Sequence, residues 1–101
     1  MKMKITYNTV KKHAPVLITG ECEGIKFVFL GRWNNWYFAA GKDVKVIDDI
    51  GNEINGDEYI DRGYWDFSDK RGYGASYMPK KTQKKIIKNC FRRMKSEREQ
   101  S

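Results

Sequence analysis

The sequence predicts an α+β domain: a five- or six-stranded antiparallel meander, or small partly open barrel, followed by one amphipathic basic helix. Three observations carry this. Apolar residues alternate with a period of two through roughly the first sixty positions. Turn-forming residues recur about every 8–12 residues. Beyond Pro79 the apolar spacing switches to that of a helix.

The elements follow in order. Met1, Met3, Ile5 and Tyr7 share one strand face, with Lys2, Lys4, Thr6 and Asn8 on the other. Val16, Ile18 and Cys22 repeat the pattern ahead of a Glu23-Gly24 turn. Ile25, Phe27 and Phe29 then oppose Val28 and Leu30, which predicts a strand covered on both sides. Asn34-Asn35 lies between Arg32-Trp33 and Trp36-Tyr37-Phe38, where a two-residue connection with positive φ would close a hairpin. Lys42 to Ile47 and Asp49 to Ile54 form a further hairpin with Gly51-Asn52 in its bend, and Asn55-Gly56 turns the chain into Tyr59-Ile60.

This assigns residues 2–60 to the sheet. In residues 61–78, Gly63, Gly72 and Gly74 alternate with Tyr64, Trp65, Phe67, Tyr73 and Tyr77, the composition of an ordered loop wrapping the sheet. A helix over 79–96 is opened by Pro79, with Thr82 a later cap, and residues 97–101 are expected to fray. Its Ile86, Ile87, Cys90, Phe91 and Met94 fall within an arc of about 140°. Lys81, Lys84, Lys85, Lys88, Arg92 and Lys95 fill the other side. The 101 residues are read as one domain.

Charge is sorted along the chain. Residues 1–42 carry a net +5, residues 43–69 a net −7 and residues 70–101 a net +9, within a total of +7. No Asp or Glu occurs between residues 70 and 96, so carboxylates one helical turn away cannot explain the lysines. Such a segment attracts polyanions or acidic faces over roughly 8–10 Å at ordinary salt.

Composition excludes several classes. Aromatics at 14% and hydrophobics at 40% argue against disorder. Cys22, Cys90 and His13 are too few for a structural zinc, which takes about four Cys or His ligands. The thiols are expected to be buried and reduced. The apolar run Ala14 to Ile18 is too short for a secretory or spanning segment, so a cytoplasmic location without membrane contact is expected.

Motifs for chemistry are sparse. A calcium loop starting at Asp48 fails, because Glu53 stands where glycine is required. Asp43-Val44-Lys45 holds half of a nuclease metal pattern, too short to weigh. A cysteine nucleophile would have only His13 as its base. No enzymatic activity, cofactor or metal is expected. Arg71-Gly72-Tyr73-Gly74 matches the opening of the RNA-recognition-motif octamer, but Ala75, Ser76 and Met78 break it and the fold order differs. What survives is the mixture of Arg71 and Tyr73, charge beside a stacking ring.

The leading expectation is therefore a small binding protein whose Lys81, Lys84, Lys85, Lys88, Arg92 and Lys95 contact nucleic-acid phosphates without sequence preference, with strong salt sensitivity. Arg71 and Tyr73, and the group Arg32, Trp33 and Trp36 at the hairpin tip, are further candidates. The rival is an inhibitor of a host nucleic-acid-processing complex. Lysine in excess of arginine, abundant Ile, Asn and Tyr, and small size resemble in style many phage and mobile-element proteins, anti-CRISPR-type inhibitors among them.

Overall fold

The structure, a computed structural model, describes residues 3–13, 15–47, 53–65 and 74–100, with side chains in the helix as far as residue 97. Among the described residues, seven strands precede the helix: β1 (Ile5–Lys11), β2 (Val16–Cys22), β3 (Ile25–Arg32), β4 (Asn35–Gly41), β5 (Val44–Ile47), β6 (Glu53–Gly56) and β7 (Tyr59–Tyr64). A 3-10 turn, Gly74–Tyr77, leads into α1 (Lys80–Gln100). Five strands form an open antiparallel sheet in the order β1-β2-β3-β4-β7, while β5 and β6 pair separately. The expected α+β arrangement holds, and the sheet is not closed.

Period-two sorting builds two unlike faces. On one, Val16, Ile18, Cys22, Phe27, Phe29, Trp36, Phe38 and Ala40 are buried beneath Ile87, Cys90, Phe91 and Met94 of α1. The Phe91 ring meets Phe27 edge-on at 5.5 Å and Phe38 at 5.2 Å, the T-shaped geometry that aromatic quadrupoles favour. Phe27 and Phe38 lie near parallel at 5.8 Å beneath it. On the other face Val28, Leu30 and Ala39 are equally dry, on the side where the β5–β6 hairpin contacts β3 and β4. β3 is therefore buried on both sides, as its continuous apolar run predicts.

Several boundaries differ from the sequence-based expectation. Glu23 and Gly24 both take positive φ (53° and 82°) and close β2–β3 as expected. The next turn is displaced by one residue: Arg32 pairs with Asn35, and Trp33, not an asparagine, takes the positive φ of 55°. Asn55 and Gly56 are strand residues of β6, and the bend falls at Asp57 and Glu58. The proposed Gly51-Asn52 bend lies outside the described residues.

Residues 59–64, read partly as loop, are the edge strand β7, because pairing with β4 satisfies their backbone. Gly63 lets the Trp36 indole lie directly on that strand, where a Cβ would collide with the ring. α1 starts right after Pro79 and continues to Gln100, past the expected stop at residue 96. The Gln83 side chain donates to the Met78 carbonyl at 2.6 Å, and its backbone N–H donates to the Pro79 carbonyl at 3.0 Å, fastening the first turn.

Candidate nucleic-acid interface

α1 is amphipathic with its charge skewed toward one flank. The core arc of Gln83, Ile87, Cys90, Phe91 and Met94 faces the sheet. Lys81, Lys84, Lys85, Lys88 and Arg92 are exposed and, with Asn89, line a shallow hollow of about 340 Å³. This flank overhangs β1: Lys84 Nζ lies 5.1 Å from the centroid of the Tyr7 ring. Arg92 donates to Asn89 Oδ1 at 3.4 Å. None of these five cations pairs with a carboxylate among the described residues.

Lys95 departs from that pattern. It forms an ion pair with Glu23 at the β2–β3 turn, which ties the C-terminal half of α1 to the sheet and removes Lys95 from the open row. The opposite flank of the helix is also neutralised. Arg93 bonds Asp61 of β7 through Nε at 2.8 Å, and the Tyr59 hydroxyl donates to the same carboxylate at 3.1 Å. Burial alone would raise the Asp61 carboxyl. Bonds from Arg93, the Arg62 backbone N–H and Tyr59 outweigh it and hold the group below its ordinary range. Cys90, beside this cluster, is pushed up to about 12 by burial and then by the Asp61 charge, so its thiol stays neutral. Cys22 and Cys90 are both buried and free.

The hairpin-tip candidates separate. Trp36 is only 8% exposed and lies near parallel to Phe29 at 6.2 Å, so it belongs to the core and offers no contact surface. Trp33 is 53% exposed, with the Arg32 guanidinium 4.3 Å from its ring centroid. Its backbone is clamped: the N–H donates to Ser76 Oγ at 2.7 Å, and the carbonyl accepts from Ala75 N at 2.6 Å. Arg71 and Tyr73 lie outside the described residues.

The sequence reading missed Tyr37, Ile60 and Arg62, which share a groove with Arg32 and Trp33. The signal was present as Ile60, Arg62 and Tyr64 at every second position, obscured by Gly63. Among the described residues, no three His, Cys, Asp or Glu side chains stand close enough to hold a metal ion, and no helix is long and apolar enough to cross a membrane. Comparison with protein-family models, curated proteins and solved structures finds no match to this chain.

Proposed function

We propose that this chain is a non-enzymatic nucleic-acid-binding protein that holds the phosphate backbone along the β1 flank of α1. One observation carries the reading: Lys81, Lys84, Lys85, Lys88 and Arg92 stand exposed on a single flank with no described carboxylate beside them. Like charges at this density repel one another and cost stability, so the arrangement makes physical sense when an external polyanion neutralises them. From Lys81 to Arg92 the row spans about 16 Å at 1.5 Å per residue, long enough to follow several phosphates. Contacts of this kind carry no base information, so the predicted binding is indifferent to sequence.

The test is an anisotropy titration with generic DNA and RNA. Five phosphate contacts give a slope of about −4.5 in log affinity against log salt, or roughly a 500-fold loss between ~50 and ~200 mM. Absence of binding at the lower salt would remove the proposal. A second reading, a protein that blocks a host nucleic-acid-processing complex, is favoured by the exposed acids Asp43, Glu53 and Asp57 around the β5–β6 hairpin, which could occupy a basic channel. Capture of a basic, nucleic-acid-binding partner that free nucleic acid displaces would support it.

A further inference from the structure

The sheet face away from α1 is only partly covered by the β5–β6 hairpin. Toward β7 it stays open as a groove of about 350 Å³, within the range of small-ligand pockets, ~300–1,000 Å³. Register places Tyr37 opposite Arg62 and Ala39 opposite Ile60 on this face, while Ile54 of β6 forms the far wall. Ile60 is 59% exposed and Tyr64, four residues along the same face, 67%. Trp33 closes one end.

Trp33 holds an unfavourable backbone conformation. A bulky aromatic at φ 55° costs on the order of 1 kcal/mol or more, and such strain persists only where the surroundings enforce it. Here they do, through the Ser76 and Ala75 bonds to its backbone, which fix the indole at the mouth of the groove. Arg32 covers one part of the ring and leaves half the residue in water.

From this geometry we infer that the groove is a stacking site for unpaired nucleic-acid bases, distinct from the phosphate-binding flank of α1. The inference rests on the nucleic-acid reading above and assigns it a preference for single strands. Aromatic rings beside guanidinium groups bind bases through their π faces, which a duplex hides in its own stack. Charge at the lining is compatible with the same occupant: Arg32 and Arg62 face the groove against one acid, Glu53. The Glu53 carboxylate repels phosphate, so the backbone runs along the arginine side.

The test compares the wild type with Trp33→Ala, Trp33→Gly and Trp33→Phe, using a fluorescent oligothymidylate and a duplex of equal length at low salt. Loss of one stacked base weakens oligothymidylate binding roughly 5- to 150-fold. Duplex affinity and the salt slope should stay unchanged, and Trp33→Phe should restore most of the loss. Glycine relieves the strained φ, so Trp33→Gly remains folded, and its thermal unfolding verifies this. Oligothymidylate should also quench tryptophan emission in a Lys84→Gln/Lys85→Gln/Lys88→Gln variant, where the flank of α1 is disabled.

Unchanged oligothymidylate affinity in Trp33→Ala and Trp33→Gly overturns the stacking site, while salt-dependent binding by the wild type leaves the α1 reading standing. Equal loss for duplex and single strand overturns it as well. A wild type that binds neither form overturns both proposals.

Discussion

On the flank of α1 that faces β7, Arg93 is held by the Asp61 carboxylate, which also receives the Tyr59 hydroxyl. On the flank that overhangs β1, Lys81, Lys84, Lys85, Lys88 and Arg92 project with no described carboxylate in reach. The same helix thus carries two kinds of positive charge. One is consumed in fixing the helix to the sheet, and the other has no carboxylate partner among the described residues. The contrast is between an arginine at the helix–sheet seam that has a carboxylate partner and a row from Lys81 to Arg92 that has none among the described residues, Lys95 at its end being paired with Glu23.

Removing the seat beneath both flanks should have the largest effect. Phe91 is fully buried between Phe27 and Phe38, so Phe91→Ala should cost about 3–5 kcal/mol in denaturant unfolding. A cost below about 1 kcal/mol would mean that α1 is not docked as described. Next comes the open row. Lys84→Gln/Lys85→Gln/Lys88→Gln should lose roughly tenfold in affinity per lysine at ~0.1 M salt. Its unfolding midpoint should hold or rise as repulsion is relieved. A marked fall in that midpoint would give these lysines a structural role and erase the contrast.

The paired flank predicts a smaller, pH-dependent effect. Because the folded-state pKa of Asp61 is depressed, its contribution is present at neutral pH and lost as pH falls through the folded value, which lies below that of an ordinary aspartate. Asp61→Asn should therefore cost about 0.5–1 kcal/mol at neutral pH, modest because Arg93 is half exposed to solvent. The difference from wild type should shrink in acid, and a constant difference would contradict the assignment. The smallest effect belongs to Trp33→Gly, where relief of a positive φ offsets the lost side-chain contacts to within about 0.5 kcal/mol. A large destabilisation there would make Trp33 a structural residue.

Much of this was legible from periodicity. The alternation from Ile25 to Leu30 showed a doubly covered strand, and the spacing of Ile87, Phe91 and Met94 showed the docked helix face. Both signals are local and come from side chains pointing one way. The partner of Lys95 was not legible, since Glu23 lies 72 positions away and only the course of α1 back along β3 brings the two together. Trp36 and Trp33 look alike in sequence. Their fates diverge because the turn falls at Trp33 and Asn34, which places Trp36 on the buried face and Trp33 outside any strand. The groove escaped for the opposite reason: its walls come from β3, β4, β6 and β7, and no single stretch announces it.

The central claim is that the β1 flank of α1 is reserved for phosphate. Its most direct test is the slope of log affinity against log salt for the wild type and for Lys84→Gln/Lys85→Gln/Lys88→Gln, measured with one duplex over one salt range. Loss of three phosphate contacts should make that slope shallower by about 2.7. Equal slopes for the two proteins would contradict the claim.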